Sequence, residues 1–136
     1  MAHSHAAPTD LTRNQGLVLG ALTGSSAPLS AYDILDRLRE DGLRAPLQVY
    51  RALDKLVERG LAHRLESLNA FVACADEHCH RKGLIAFAIC EGCGKVDEFA
   101  DSVIESRLGE WAGKTGFKVE RTTMEIRGRC EACVGA

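Results

Sequence analysis

Residues 30–73 read SAYDILDRLREDGLRAPLQVYRALDKLVERGLAHRLESLNAFVA, and the punctuation of this stretch decides the fold. Ser30 is a good helix N-cap, with Asp33 at the capping-box position in place of Glu. The helix it opens carries an apolar stripe of Ile34, Leu35 and Leu38 and runs to about Asp41, where Gly42 stops it. Pro46 opens the next helix, Leu47 to Arg59, and Gly60 ends it. Its core face is Val49, Leu53, Leu56 and Val57; the opposite face shows Gln48, Tyr50, Arg51 and Lys55. Leu61–Leu65 and Ala70–Ala73 then alternate on either side of the turn Glu66-Ser-Leu-Asn69, which predicts a β-hairpin.

Upstream, residues 11–22 repeat Leu11, Val18 and Leu22 at helical spacing, with Leu19 beside them, although Gly16 and Gly20 weaken the helix. Thr23 to Pro28 is a turn. Three helices followed by a hairpin spell a winged helix-turn-helix, whose third helix enters the DNA major groove. A generic three-helix bundle with an appended hairpin is the competing reading; the order of elements and the Tyr50-Arg51 pair favour the winged helix.

Downstream the composition shifts. Cys74 to Gly83 is short, polar and bears histidines, so it reads as a linker with ligands in it. Leu84 to Ile89 is an apolar run of strand length, and Lys95 to Phe99 alternates. Asp101 to Thr115 reads as an amphipathic helix with Val103, Ile104, Leu108, Trp111 and Ala112 inward. Gly116 ends it, and Phe117 to Arg127 predicts a long strand. The expected architecture is α+β: a winged-helix domain over 1–73, a hinge linker over 74–83 and a small α/β domain over 84–136. The last is too small to bury much core alone, which favours dimerisation.

Two CxxC pairs, Cys90-Glu-Gly-Cys93 and Cys130-Glu-Ala-Cys133, punctuate that second half. Each pair sets two sulfurs on one tight turn, and two pairs supply the four thiolates of a closed tetrahedral zinc site. A closed site has no open position to activate water, so its expected role is structural. Redox-active thiols or a disulfide framework are the alternatives; neither pair shows the strand–helix junction of a redox CxxC.

The chain has 136 residues, 46% hydrophobic and 26% charged, with six cysteines and a net charge of −2. No apolar run has membrane-span length, and no signal peptide is read at the start, so a reducing cytoplasm and metal ligation are expected. His3 and His5 read as a short solvated tail. The net charge does not advertise nucleic-acid binding, but Leu43 to Arg64 holds five basic residues against two acidic ones. That excess suits a small phosphate-contacting surface that gains affinity by dimerisation. No phosphate loop or nucleophile–base set argues for an enzyme, and no small-molecule substrate is expected.

The segments Ser30-Ala-Tyr-Asp-Ile-Leu35, Val49-Tyr-Arg-Ala-Leu-Asp54, Gly60 to Ser67, Cys90-Glu-Gly-Cys-Gly94 and Cys130-Glu-Ala-Cys133 occur in the order that marks one family. Over residues 11–133 the chain resembles the ferric uptake regulator family of bacterial metal-dependent repressors, and within it the branch of zinc uptake regulators. The resemblance implies a homodimer, operator DNA as partner, repression of zinc-acquisition genes when zinc is plentiful, and a second metal site in the hinge. It therefore implies two zinc ions per protomer, one structural and one regulatory.

His63, Cys74 and Glu98 fall at positions where zinc regulators of this family place sensor ligands. The fourth ligand is open: His80 is favoured and His78 is the alternative, since side chains alternate along an extended linker and Cys79 would face the other way. A Cys/His/carboxylate set suits zinc better than ferrous iron or manganese. Tyr50 and Arg51 are the expected base readers; Arg44, Lys55 and Arg64 are expected at phosphates, with Arg13 a further candidate, and the resemblance adds Tyr32 there. Asp36 and Arg39 read as a solvated surface pair. The alternatives to a zinc-responsive repressor are an iron or peroxide sensor of the same family and, in another class, a CxxC thiol redox protein.

Overall fold

The computed structural model describes residues 10–74 and 84–135, and the chain divides into two compact units, Met1–His80 and Arg81–Ala136. The expected ligands His78 and His80, together with Cys79, lie outside the described residues.

The first unit begins with α1, Arg13–Thr23. Thr12 caps it through a reciprocal pair with Gln15, the hydroxyl accepting from the Gln15 N–H and the Gln15 side chain accepting from the Thr12 N–H. The second helix, α2 (Ala31–Leu38), is capped as the sequence predicts: Ser30 Oγ accepts from Asp33 N at 3.1 Å, and Asp33 Oδ2 accepts from Ser30 N at 3.0 Å. Those bonds hold the Asp33 carboxyl below its ordinary value of 3.8. The expected run to Asp41 needs correction. The α-helical turns end at Leu38, and Arg39–Asp41 tighten into a 3₁₀ turn closed by Gly42 at φ +103°, a left-handed value that glycine adopts without strain.

Helix α3 spans Pro46–Glu58. Its front is stapled by Gln48, whose Oε1 accepts from Arg44 N at 2.9 Å and Ala45 N at 3.1 Å. Strands β1 (Ala62–Leu65) and β2 (Ala70–Ala73) pair antiparallel from Ala62 opposite Ala73 to Leu65 opposite Ala70. Asn69 turns the hairpin at φ 48°. Leu29 extends the pairing by exchanging two backbone bonds with Phe71, at 2.8 and 3.0 Å. The core collects Val18 and Leu22 of α1, Ile34, Leu35 and Leu38 of α2, and Val49, Leu53 and Leu56 of α3. Periodicity at 3.6 residues puts these side chains on facing stripes, and Phe71 closes the cluster from the hairpin.

In the second unit, β3 (Leu84–Cys90) is the central strand of three. It pairs antiparallel with β4 (Val96–Phe99) and parallel with β5 (Thr122–Gly128). A central strand is covered on both faces, which is why β3 is apolar almost throughout, with Ala86 and Phe87 fully buried. Helix α4 (Ser102–Thr115) starts at Asp101, whose Oδ1 accepts from Val103 N and Ile104 N at 2.9 and 3.1 Å, and ends at Gly116, φ +70°. A last short helix, α5, covers Glu131–Val134.

Two expectations change here. Val103 and Trp111 are not inward: they are 69% and 53% exposed, Leu108 is also exposed, and Ala112 is the buried residue of α4. The long strand also starts later, at Thr122 rather than Phe117. Among the described residues its partner β3 begins at Leu84, which pairs with Thr122.

Candidate functional site

The four late cysteines come together because of the parallel ladder. Cys90 is the last residue of β3 and lies opposite Gly128, the last residue of β5, so the chain delivers Cys130 beside Cys90 two residues later. The first pair sits in the β3–β4 turn, closed by Gly94 N donating to Cys90 O at 2.9 Å, with Gly94 at φ +79°. The second pair is wound by α5, where Cys133 N donates to Cys130 O at 2.9 Å. All four sulfurs lie within 4.8 Å of one another, and Cys93 and Cys130 are 3.8 Å apart.

That spacing is the test of fit for a metal. Zinc–sulfur bonds of about 2.3 Å in a tetrahedron require sulfurs about 3.8 Å apart along each edge. Gly92 belongs to the cradle: a Cβ there would stand 2.9 Å from Cys133 Sγ. The backbone supplies the charge compensation expected around thiolates. Cys130 N and Cys93 N donate to Cys90 Sγ at 3.3 and 3.4 Å, and these bonds pull the Cys90 thiol down to about 6. Cys133, hydrogen-bonded to Cys90, Cys130 and Cys93 in the same knot of sulfur, is pushed up to about 12. Four sulfurs this close ionise together only around a cation, and a divalent, thiophilic one such as zinc matches both number and geometry.

The hairpin brings two further candidates together. His63 lies opposite Val72, and Cys74 follows two residues after Val72, with its N–H bonded to Leu61 O at 2.9 Å. Side chains at 63, 72 and 74 therefore share one face, and His63 and Cys74 are diagonal neighbours. A ring nitrogen of His63 and the Cys74 sulfur lie within 4.8 Å, with His63 buried at 8% exposure and Cys74 half-buried. Glu98 is half-buried on β4 of the second unit, opposite Phe87.

The DNA candidates spread over α2, α3 and the hairpin. Arg51 is exposed on α3 and makes no ion pair among the described residues. Tyr50 is half-buried and packs against the core, so it is less open than the sequence suggests. Lys55 reaches Glu58 at 3.4 Å. Arg64 bonds Asn69 Oδ1 at 3.2 Å and stands 3.6 Å from Glu66. Tyr32 is 62% exposed at the first turn of α2, and Arg44 is exposed ahead of α3. Asp36 and Arg39 pair at 3.2 Å on the surface. Arg13 is engaged: its Nη2 donates to Asp41 O at 2.7 Å, tying α1 to the end of the 3₁₀ turn. Neither this bond nor the Gln48 staple is called from the sequence; a Gln three residues after Ala45 is the signal that could have found the staple.

The comparisons agree with this layout. The zinc uptake regulation protein of Escherichia coli K12 is 39% identical over 127 residues, spanning 91% of this chain and 72% of its own length. A crystal structure of holo XcZur superposes with a TM-score of 0.83 at 38% identity, covering 93% of this chain and 87% of that one. A zinc uptake regulator complexed with zinc and DNA gives 0.83 at 37% identity, covering 92% and 83%. The sequence profile described as the ferric uptake regulator family matches residues 10–127, and with that span and these relatives the chain belongs to the ferric uptake regulator family.

Proposed function

We propose that this protein is a zinc-responsive repressor that binds operator DNA as a homodimer in the cytoplasm when its regulatory zinc is bound. The observation that carries the reading is the His63–Cys74 pair on the hairpin of the unit whose α3 exposes Arg51. A soft donor pair on the DNA-reading unit couples metal occupancy to the pose of the reading helix. Cys74 is disulfide-bonded in the structure and binds metal only once reduced; its thiolate then favours zinc over ferrous iron or manganese, which prefer oxygen-rich, higher-coordinate sites. Zinc uptake regulators match at 37–39% identity over most of the chain, one of them complexed with zinc and DNA, whereas a ferric uptake regulator matches over a similar span at 28%.

Two zinc ions per protomer fit the donor inventory. Cys90, Cys93, Cys130 and Cys133 hold the structural ion, which cross-links the β3–β4 turn to the chain's last helix. His63, Cys74 and Glu98, with His80 or alternatively His78, hold the regulatory ion. A second copy of the chain covers the exposed apolar residues of the second unit, Val103, Trp111 and Phe117 among them.

The switch is a shift in population. Without regulatory zinc the DNA-reading units sample many poses; with it, the dimer favours the pose whose two α3 helices meet successive major grooves, about 34 Å apart. A coupling of ~1–3 kcal/mol changes DNA affinity ~5–150-fold, and DNA raises zinc affinity by the same factor. Arg51 grips guanine O6 and N7, Tyr50 packs at its side, and Arg44, Lys55, Arg64 and Tyr32 reach phosphates. Selection from random-sequence duplexes in buffered zinc tests this directly. Enrichment of a two-fold symmetric sequence in zinc, and none in chelator, is the expected result; enrichment independent of zinc would reject it.

A further inference from the structure

We propose that Leu47 is a base-reading residue that selects thymine by packing against its C5-methyl group; the inference rests on the operator-binding reading above. Leu47 is 56% exposed, whereas Val49, Ala52, Leu53 and Leu56 of the same helix are buried. It takes no part in the core of the first unit. Pro46 at the helix start fixes Leu47 in the first turn of α3, and the N-terminal residues of a recognition helix are the ones that face base edges. Leu47, Tyr50 and Arg51 stand at i, i+3 and i+4, so they line one face of the helix.

The neighbour at this front turn is committed elsewhere. The Gln48 side-chain oxygen accepts from Arg44 N at 2.9 Å and from Ala45 N at 3.1 Å. A glutamine reads adenine by accepting from N6 while donating to N7, and that acceptor is spent on the backbone here. With Gln48 committed, Leu47 is the side chain of the first turn free to define a base beside the Tyr50 and Arg51 contacts. Its chemistry narrows the choice: an isobutyl group offers nothing to a phosphate or to a donor–acceptor edge. The one apolar feature of the major-groove edge is the thymine methyl.

The test uses the full chain loaded with zinc and the duplex enriched from a random library. Each thymine is replaced singly by deoxyuracil, which removes the methyl group and leaves base pairing intact. Burying one methyl-sized group predicts a loss of about fourfold at one thymine per half-site for the wild-type protein. Leu47→Ala should lose that sensitivity at the same thymine while keeping its dependence on the guanine read by Arg51. Leu47→Met, still apolar and long, should retain it. An exposed position in a helix tolerates both replacements, and circular dichroism verifies the helix content. Wild-type binding indifferent to uracil at every thymine, or Leu47→Ala binding with an unchanged uracil profile, would overturn the inference while leaving the repressor reading intact. Failure to enrich any duplex would overturn both.

Discussion

Cys93 Sγ and Cys130 Sγ lie 3.8 Å apart although 37 positions separate them in the chain. The parallel pairing of β3 with β5 closes that distance, and the sulfur tetrahedron is the consequence of where the two strands end. Cys130→Ser removes one corner. The expected outcome is loss of about one zinc per protomer and a cooperative drop in thermal stability of the second unit, because metal binding free energy here is folding free energy. Metal content by mass spectrometry and a melting curve check it; full zinc content in the variant would contradict the assignment.

Arg51→Ala deletes an exposed side chain with no partner among the described residues, so folding and zinc content should not change. Specific duplex affinity should fall by ~1–3 kcal/mol per lost bidentate contact, roughly 5- to 150-fold. Competition between the selected duplex and a scrambled one reads this; retained preference would remove Arg51 from the reading set.

Asp33 supplies a pH-dependent contribution to the first unit. Its hydrogen bonds with Ser30 lower the carboxyl below 3.8, so the folded state favours the charged form. Stability from this cap is fully present above the ordinary value and is lost as pH falls through the lower folded value. Melting temperatures of wild type and Asp33→Asn measured from pH 6 down to pH 2.5 should converge at the acid end. A constant gap across the range would show that the carboxylate is not the source.

Trp111 is 53% exposed and its ring lies 5.4 Å from that of Phe117, tilted by 48°; Phe117 is itself 59% exposed. Charged substitution at this position should block burial against a second copy. Trp111→Glu is expected to sediment as a monomer at concentrations where the wild type is a dimer, with its zinc retained. A dimeric variant would move the interface elsewhere.

The sequence carries the first unit in detail because its signals are local. Ser30 with Asp33, Pro46, Gly60 and the alternation around Glu66–Asn69 each act within a few residues, and each lies where the structure places it. The second unit is less legible. The apolar face of α4 is visible as a pattern, but amphipathicity says only that a face is apolar and not what covers it; within one protomer Val103 and Trp111 stay exposed. The start of β5 is equally hidden: no signal near Thr122 separates it from the residues after Phe117, and a strand's extent depends on its pairing with a distant partner, here β3. The sulfur cluster is plain from two CxxC pairs. His63 and Cys74 are named in the sequence by the family resemblance alone; the hairpin register that sets them on one face is seen only in the structure.

The central claim is that zinc controls DNA affinity, and a binding isotherm for the selected duplex across buffered free zinc tests it most directly. Affinity should rise ~5–150-fold as the regulatory ion binds, while the zinc held by Cys90, Cys93, Cys130 and Cys133 stays in place throughout. His63→Ala should flatten the isotherm at the low-affinity level. An affinity that does not change with free zinc, or that responds to ferrous iron instead, would contradict the account.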